Sequence, residues 1–348
     1  MAKWARVTLQ DVAKAAKVSP TTASYILNGR SAQMRISAEA EQRVRDAVEL
    51  LGYRPNRSAQ NLRTATTRTI GLISDSVASG HYANNMLRGA SAEAADRGHL
   101  LLIGETEGDR ETERRILHEM IDRQVDGVVF ATLVTLGIDP PLLPAATPVV
   151  LLNCTVLDDV GRHRSVLPDE YGGGRTAARL LVEAGHRHID VIGVDPNPRA
   201  LAGPARLRGI TDEMAEHGLP EPTVVSTDWD VIEARAAVGA WIATGERPSA
   251  VICLNDRVAM GAMQAFESGG LLVPDDVSLV SFYGSELAGW LQPRVTSISI
   301  PYTSLGMVAT RMLLQPESFE ASEQLVPMPV LEGDSVRSPN RHSPSLPG

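Results

Sequence analysis

Hydrogen-bonding side chains of the kind that recognise nucleic acid are concentrated between Thr8 and Asn28. This stretch, TLQDVAKAAKVSPTTASYILN, places Ala23, Ile26 and Leu27 on one apolar helical face and leaves the polar groups elsewhere. Small hydroxyl and amide groups on an exposed helix are the partners that phosphate oxygens and base edges need. The chemistry indicated is hydrogen bonding to a duplex. The polar side chains in the second half of the stretch are Thr21, Thr22, Ser24, Tyr25 and Asn28.

Two short helices joined by a tight turn are predicted to position these side chains. Thr8 is a typical N-cap, and Asp11 brings a carboxylate to the first amide groups of that helix. The turn is expected at Lys17. Ser19 then caps the second helix, and Pro20 occupies its first position, where a missing N–H costs nothing. A helix-turn-helix of this kind inserts its second helix into the major groove of DNA.

The distribution of charge supports a separate nucleic-acid-binding head. Residues 1–68 carry 12 Lys and Arg against 5 Asp and Glu, and they include all three lysines, whereas the whole chain has a net charge of −9. A basic head on an acidic body predicts a DNA-binding domain joined to a second functional domain. A solvated helical cap is the alternative that charge alone leaves open.

A third helix and a short connecting segment follow the helix-turn-helix. The third helix is predicted to begin at Ser37 and to end at Gly52, which closes a three-helix head. Pro55 and Asn56 can begin a further helix of about two turns, which is too short to be stable in isolation. Such a segment serves either as a switch that becomes helical when something holds it, or as a plain polar linker.

Alternating strands and helices are predicted from residue 69 onward, in two successive series. Continuous apolar runs separated by amphipathic helices indicate parallel sheets covered on both faces, and hence two similar α/β lobes. Ligands of open α/β sheets bind at the carboxyl ends of the strands, so two facing lobes form a cleft. The predicted strands are 69–75, 99–105, 126–132, 148–154, 189–194, 223–229, 249–255 and 276–283. The predicted helices are 83–97, 110–124, 171–185, 206–217, 230–243 and 256–269.

Length and composition exclude several classes of protein. The 348 residues, with 43% apolar content, have room for two or three domains with cores. We expect a cytoplasmic protein without membrane contact, because no apolar run can cross a bilayer and no secretory signal is evident. Cys154 and Cys253 lack metal-ligating neighbours, which favours buried free thiols. Residues 334–348 are polar and Pro-rich, which predicts a frayed end without a coiled coil.

Catalysis is the least supported class of function. Asp126-Gly127 and Asn255-Asp256 fall at predicted strand ends, where catalytic residues can lie. The chain contains no phosphate-binding P-loop, no G-x-S-x-G and no paired metal-ligand motif. We interpret Asp256 as the N-cap of the helix that follows it. The expectation is therefore a protein that is not an enzyme and has neither a catalytic residue, a metal site nor a cofactor.

Segments along nearly the whole chain resemble the lactose-repressor (LacI) family of bacterial transcription regulators. The resemblance implies an all-α helix-turn-helix head, a hinge helix and a two-lobed α/β effector domain like the periplasmic binding proteins. In that family the chain crosses three times between the lobes. The matching segments are the head stretch quoted above, ELLGYRPNRSAQNLR, RQVDGVVF, LLVEAGHRHIDVIG, RLRGI, LNDRVAMGAMQAFESGGLLVPDDVSLVSF and SISIPYTSLG.

The resemblance also implies domain boundaries. The head spans residues 1–54, and a hinge helix with its linker spans 55–68. The two lobes are each built from two stretches of chain, with a disordered tail after them. The boundaries are 69–168 and 301–325 for the first lobe, 169–300 and 326–338 for the second lobe, and 339–348 for the tail.

Contacts with DNA carry over from the family position by position. Leu62 matches a leucine wedge inserted between central base pairs, with Ala59 packed beside it; such a wedge kinks the duplex. The alternative for Leu62 is a solvent-exposed leucine on a linker. The resemblance implies base contacts at Pro20, Thr21 and Tyr25. It implies phosphate contacts at Thr8, Ser19, Thr22, Ser24 and Asn28, and hinge contacts at Asn56, Arg57, Ala59 and Leu62.

Effector contacts carry over in the same way. Arg206 matches the main effector-binding arginine of the family, since a guanidinium offers several fixed donors. Trp229 matches a stacking aromatic residue, Asn255 a polar contact, and His81 and Tyr82 a paired aromatic site. Core packing is the alternative for Trp229 and Tyr82. A surface ion pair is the alternative for Arg206.

One effector position departs from the family. Tyr283 stands where an aspartate usually accepts hydrogen bonds from sugar hydroxyls, and a phenol is neutral and offers a single O–H. A conventional sugar effector is therefore in doubt. A smaller, more apolar or anionic ligand, or a pocket without a ligand, is the alternative.

These features together predict a sequence-specific DNA-binding transcription regulator. We expect a homodimeric repressor of catabolic genes that binds a near-palindromic operator on double-stranded DNA. A small-molecule effector, either a sugar or another metabolite, would act through its different affinities for two lobe arrangements. A cytoplasmic small-molecule sensor without a DNA target is the alternative, although it leaves the basic head unexplained.

Overall fold

The computed structural model describes residues 7–54, 66–76, 84–140, 147–157, 163–193 and 197–339. The chain divides into two compact units, Met1–Thr67 and Arg68–Gly348. Each unit has its own hydrophobic core. Within the described ranges no helix is long and apolar enough to cross a membrane.

The first unit contains helices α1 (Leu9–Ala15), α2 (Pro20–Leu27) and α3 (Ala38–Leu51). Thr8 and Asp11 form a reciprocal capping box on α1, in which the Thr8 amide donates to the Asp11 carboxylate at 2.8 Å. The Ser19 hydroxyl accepts from the amide of Thr22 at 3.0 Å and caps α2. Ser37 caps α3. The predicted N-caps of all three helices are therefore confirmed.

Alternating elements make up the second unit, as predicted. In chain order they are β1 (Thr69–Ser74), α4 (Asn84–Asp96), β2 (Leu100–Glu105), α5 (Arg110–Asp122), β3 (Val128–Ile138), β4 (Val149–Val156), β5 (Arg164–Pro168), α6 (Glu170–Ala184), β6 (Asp190–Ile192), α7 (Ala202–Glu216), β7 (Val224–Val225), α8 (Val231–Ala243), β8 (Ala250–Cys253), α9 (Asp256–Ser268), β9 (Ser278–Tyr283), α10 (Glu286–Trp290), β10 (Thr296–Ser299), α11 (Tyr302–Leu314), β11 (Glu323–Val326) and β12 (Val330–Leu331).

The strands form two sheets that define two lobes. The sheet of the first lobe has the order β11-β5-β4-β3-β1-β2, and that of the second has the order β12-β10-β9-β8-β6-β7. All neighbours are parallel except β10 and β12. The predicted two-lobed α/β architecture with parallel sheets is confirmed. Because β11 returns to the first sheet after β10 has joined the second, neither lobe is continuous in sequence.

Two strands differ in length from their predictions. The strand predicted at 126–132 continues to Ile138, because it pairs again with β4 after an irregularity. The strand predicted at 223–229 is only Val224–Val225, since it lies at the edge of its sheet with a single neighbour and the chain leaves it afterwards. Sequence periodicity reveals neither the renewed pairing of β3 with β4 nor the edge position of β7.

Helix α7 begins earlier than predicted, and several elements were not predicted at all. Its first residue is Ala202 rather than Arg206, and the N-cap residue Leu201 makes no capping hydrogen bond with its side chain. A helix without a capping residue has no local start signal. The elements absent from the prediction are β5, α10, β10, α11, β11 and β12.

In both lobes, neighbouring helices pack at backbone contact through glycine. In the first lobe, a Cβ atom on Gly306 of α11 would lie 2.0 Å from the carbonyl oxygen of Met86 in α4. In the second lobe, a Cβ atom on Gly174 of α6 would lie 2.2 Å from the carbonyl oxygen of Arg206 in α7. No other residue allows the helix backbones to approach so closely.

A buried carboxylate bridges each of these helix pairs. Glu93 of α4 accepts from Arg311 of α11 at 2.7 Å, and Arg97 lies at the same distance from it. Glu213 of α7 accepts from Arg179 of α6 at 2.8 Å. The hydrogen bond from Arg311 holds the pKa of Glu93 below its usual value, so the carboxylate stays ionised inside the lobe.

His186 attaches the C-terminal segment to the second lobe. Its Nε2 lies 2.9 Å from the carbonyl oxygen of Arg337 and therefore donates to it, while Nδ1 lies 3.2 Å from the Ser249 hydroxyl. The ring is buried. Burial lowers the pKa of His186, because the imidazolium is poorly solvated there.

We expect the stability of the second lobe to fall as the pH drops below about 6.5, the pKa of an exposed histidine. The unfolded chain then takes up a proton that folded His186 accepts only at lower pH, and this favours unfolding. His186→Gln keeps a donor for Arg337 and should make this pH dependence shallower. Urea midpoints measured from pH 7.5 to 5.5 test this; parallel curves for variant and wild type would contradict it.

Candidate nucleic-acid interface and ligand cavity

The outer face of α2 carries the polar side chains singled out in the sequence. Ala23 and Ile26 are buried against α1 and α3, whereas Thr21 is exposed and Tyr25 is half-buried. Within the described part of the chain, no hydrogen bond is seen from the side chains of Thr21 and Tyr25. Asn28 donates from Nδ2 to the Ser24 carbonyl oxygen at 2.6 Å. Base contacts by Thr21 and Tyr25 stay a prediction of the resemblance.

The other predicted phosphate contacts also have structural roles. Ser19 accepts from the backbone of Thr22, and the two hydroxyl oxygens lie 2.8 Å apart. Thr8 donates its hydroxyl to Asp11 at 2.7 Å. These groups are exposed at helix N-termini, where amide dipoles favour phosphate. Several predicted site residues lie outside the described residues: Asn56, Arg57, Ala59 and Leu62, predicted for DNA binding, and His81 and Tyr82, predicted for effector binding.

A cavity of about 210 Å³ lies between the two lobes. Trp229, Asn255 and Tyr283, three of the residues that the resemblance implies for effector binding, line it together. The rings of Trp229 and Tyr283 meet edge to face, with centroids 5.9 Å apart. The remaining lining residues are Leu133, Val134, Asp256, Arg257, Ser285 and Tyr302.

Trp229 and Asn255 present different groups at this cavity. The indole Nε1 of Trp229 is buried and makes no hydrogen bond to any described residue. A buried N–H without a partner is costly, so it favours a ligand that accepts a hydrogen bond. Asn255 is already engaged, because its Oδ1 accepts from the amide of Val258 at 2.7 Å and its Nδ2 lies 3.5 Å from the Trp229 carbonyl oxygen.

Asn255, and not Asp256, is the N-cap of α9. The interpretation of Asp256 as that cap is therefore wrong. Its buried carboxylate instead accepts hydrogen bonds from Ser281 at 2.5 Å, Ser297 at 2.9 Å, and both the amide and hydroxyl of Ser285 at 2.8 and 2.6 Å. Burial raises the pKa of Asp256, while the four donors oppose that effect. Asp256 thus ties α9 to β9 and β10 and has little capacity left for a ligand.

Arg206 does not line the cavity but lies fully buried behind it. Its Nε and Nη2 donate to the two carboxylate oxygens of Glu170 at 2.7 and 3.0 Å, and Nη1 donates to the Leu254 carbonyl oxygen at 2.6 Å. The guanidinium carbon is 4.5 Å from the centre of the Phe282 ring and 5.3 Å from that of Tyr283. The alternative of a surface ion pair is therefore wrong, because the ion pair is buried.

Arg206 remains a cation in this position. Burial lowers the pKa of its guanidinium, but the Glu170 carboxylate more than compensates, and the net direction is upward. Sequence reasoning missed Glu170, which sits in the first turn of α6 with no distinguishing motif. Cation–π contact with the buried guanidinium stabilises the rings of Trp229, Phe282 and Tyr283, of which Trp229 and Tyr283 line the cavity.

Tyr283 and Tyr302 complete the aromatic walls. Tyr283 has a φ of 99°, which is rarely adopted by side chains of this size and indicates local strain. Tyr302 is the first residue of α11, and burial raises the pKa of its phenol. Sequence reasoning also missed Tyr302, although it lies in the quoted segment SISIPYTSLG. Its position directly after the return crossing was the available signal.

His, Cys, Asp and Glu side chains are the groups that could carry metal or thiol chemistry. Among the described residues, no group of three or more His, Cys, Asp or Glu can hold a metal ion. Cys154 and Cys253 are buried free thiols, as predicted. Burial raises the pKa of Cys154 to about 12, so the thiolate nucleophile is scarcely populated at neutral pH.

Comparison with known proteins identifies both units. A family model described as bacterial regulatory proteins, lacI family, matches residues 8–56, and one described as periplasmic binding protein-like domain matches residues 178–336. The HTH-type transcriptional repressor PurR of Escherichia coli O139:H28 is 31% identical over 334 residues, which span 92% of this chain and 95% of the relative. The PurR of Aliivibrio fischeri is 31% identical over 317 residues, with 88% and 91% covered.

Solved structures show the same fold. The Lac repressor dimer bound to operator and the anti-inducer ONPF superimposes with a TM-score of 0.78 at 23% identity, and it covers 95% of this chain and 99% of that one. The complex of the transcriptional regulator CelR with cellobiose gives a TM-score of 0.66 at 25% identity, with 95% and 100% covered. The curated relatives are repressors and not enzymes. This chain therefore belongs to the lacI family of bacterial regulatory proteins and is a DNA-binding transcription regulator.

Proposed function

We propose that the chain is a homodimeric repressor that binds a near-palindromic operator in the cytoplasm. A small metabolite bound between the two lobes would raise or lower its affinity for that operator. One observation carries this proposal. A capped helix with a buried apolar face and an outward hydroxyl and amide face is joined, in one chain, to a two-lobed domain with an aromatic cavity. The helix predicts sequence-specific DNA binding, and the two-lobed domain predicts binding of a small-molecule effector.

The proposed domain organisation follows the resemblance. Residues 1–54 form the reading head and residues 55–68 the hinge. Residues 69–168 with 301–325 form one lobe of the effector domain, and residues 169–300 with 326–338 form the other. Catabolic genes are the proposed targets, because the CelR structure, whose fold the lobes of this chain share, is a complex with cellobiose.

Exposed apolar side chains support the homodimer. Leu100 and Ile103 on the edge strand β2 are 62% and 45% exposed, and Ile232 on α8 is 75% exposed. An edge strand and a helix face that present large apolar groups are surfaces for another chain. A second copy is the proposed occupant, because a two-fold dimer places two heads on the two halves of a palindrome.

The lining of the cavity favours an effector with a flat apolar face and one hydrogen-bond acceptor. Trp229, Tyr283 and Tyr302 supply stacking surfaces, and the Trp229 indole supplies the donor. Asp256, which could otherwise accept from sugar hydroxyls, already holds four donors. The proposed effector is therefore a flat metabolite rather than a polyhydroxylated sugar.

Selection of random DNA duplexes by the purified full-length protein tests the proposal. Enrichment of a palindrome supports a dimeric regulator, and enrichment of a single half-site contradicts the dimer. Selections that enrich nothing, both alone and with metabolite pools, favour the small-molecule sensor. A change in intrinsic tryptophan fluorescence that is lost in Trp229→Phe then provides an assay for candidate effectors, since the chain has four tryptophans.

Leu62→Ala is expected to weaken binding to the selected operator roughly 10- to 100-fold, or about 1.4–2.8 kcal/mol, and to reduce DNA bending. The reason is that the proposed leucine wedge would no longer unstack the central step. Leu50→Ala is the matched control, since Leu50 is a leucine on α3 that is 83% exposed. Equal affinity and equal bending for the two variants would rule out the wedge.

A further inference from the structure

Residues 133–139 of the first lobe reach across to the second lobe, and we call this segment the strap. Strand β3 pairs with β1 and β4 as far as Ala131, and its register then shifts before Leu136 pairs with Cys154. On its other side, Leu136 forms an antiparallel bridge with Ala200, which precedes α7 in the second lobe. The strap is therefore held between β4 of its own lobe and residues 197–201 of the other.

Backbone hydrogen bonds join the strap to the second lobe directly. The amide of Gly137 donates to the carbonyl oxygen of Arg199 at 2.8 Å, and the amide of Leu201 donates to that of Thr135 at 2.8 Å. These bonds join backbone atoms only and are separate from the covalent crossings of the chain. A short segment of the second lobe thus extends the hydrogen bonding of β3.

Side chains reinforce both ends of the strap. At the exposed end, Asp139 accepts from Arg110 of its own lobe at 2.7 Å and from Arg199 of the other at 3.2 Å. At the buried end, the Thr135 hydroxyl lies 3.1 Å from Glu170 of the second lobe. Salt can screen the exposed end, whereas Thr135 and Glu170 at the other end are buried.

The conformation of the bulge before the strap is braced within the first lobe. Asn153 has a φ of 61° and donates from Nδ2 to the carbonyl oxygens of Thr132 and Leu133 at 3.1 and 3.0 Å. Asp75 accepts from the amide of Leu133 at 3.0 Å. The bracing turns Leu133 and Val134 toward the cavity, which they line. The strap therefore forms part of the cavity wall.

We propose that the strap is a clasp that holds the two lobes together over the cavity in the absence of ligand, so that ligand exchange requires its release. The ligand part of this inference rests on the proposed effector site. The closed arrangement itself rests on the bonds among the strap, Arg199 and Leu201. The ion pair of Asp139 and Arg199 breaks before the buried contact between Thr135 and Glu170, because the ion pair is exposed and is screened by salt.

Amide hydrogen exchange of the full-length protein, without DNA or added ligand, tests the clasp. The amides of Gly137 and Leu201 should exchange far more slowly than exposed loop amides. Arg199→Glu sets two carboxylates against each other and should speed exchange at both amides roughly three- to tenfold. Amides of the central strand β9, such as Val280, provide the internal check that the fold is intact.

Arg294→Glu is the matched control. Arg294 pairs with Asp334 at 2.8 Å within the second lobe, and both arginines are 55% exposed at the side chain. The control should leave exchange at Gly137 and Leu201 unchanged. Rapid exchange of these amides in the wild type, or equal exchange in the two variants, would overturn the clasp. Either result leaves the operator-binding proposal standing, since operator selection measures that separately.

Discussion

Replacing Arg206 with alanine is expected to lower the free energy of unfolding of the effector domain by about 3–5 kcal/mol, because it leaves the Glu170 carboxylate buried without its partner. Arg206 is fully buried, and Glu170 is 4% exposed. The two donors that Glu170 loses are the Arg206 Nε and Nη2 atoms. The Thr135 hydroxyl, which also lies within hydrogen-bond distance of Glu170, is a neutral group that cannot balance a charge.

Urea unfolding followed by circular dichroism measures this effect. The double variant Arg206→Met with Glu170→Gln removes both charges and should recover most of the loss, since an uncharged pair avoids the desolvation cost. Arg179→Ala is the control, because Arg179 is half-exposed and its partner Glu213 keeps Arg175. A loss no greater for Arg206→Ala than for Arg179→Ala would contradict the role of the buried pair.

Gly174→Ala is expected to lower the free energy of unfolding by about 2–3 kcal/mol, because a new methyl group must separate α6 and α7. The added carbon would lie 2.2 Å from the carbonyl oxygen of Arg206, a backbone atom that can yield only if the helix moves. The shift would also disturb the Arg206–Glu170 pair, since each helix carries one partner. Gly306→Ala tests the equivalent contact of the first lobe, at 2.0 Å from Met86.

Gly239→Ala is the matched control for both glycine variants. Gly239 lies within α8, and a Cβ atom added to it has no heavy atom within 4 Å. Alanine there should raise the free energy of unfolding by about 0.5–1 kcal/mol through its better helix propensity. The same substitution is thus expected to have opposite signs at two helical sites. An increase in the free energy of unfolding for Gly174→Ala would contradict this prediction, because it would show that α6 and α7 can separate at little cost.

The head of the protein was predictable in detail because its start and stop signals are local. Thr8, Ser19 and Ser37 each accept a hydrogen bond from a backbone amide three residues later, so cap and helix lie within one short stretch of chain. The buried face of α2 follows from helical spacing alone. The same reasoning predicted most strands of the lobes, since continuous apolar runs favour buried parallel strands.

The ligand cavity was predictable only in part. Trp229, Asn255 and Tyr283 are far apart in the sequence of the second lobe. The family resemblance nevertheless predicts that they belong to one effector site. Tyr302 was not grouped with them, because it enters the cavity from the last crossing of the chain. The engagement of Asp256 by three serines depends on the spacing of β9, β10 and α9 in space, which no sequence interval records.

The sequence by itself determined the helices of the head, the alternating elements of the lobes and the family, because caps and periodicity act over a few residues. Tertiary structure alone decided that Arg206 pairs with Glu170, that Asp256 accepts hydrogen bonds from three serines and that β3 extends into the strap. Each of these contacts joins residues more than 20 positions apart. Their energies depend on burial and on neighbouring groups, which exist only once the chain has folded.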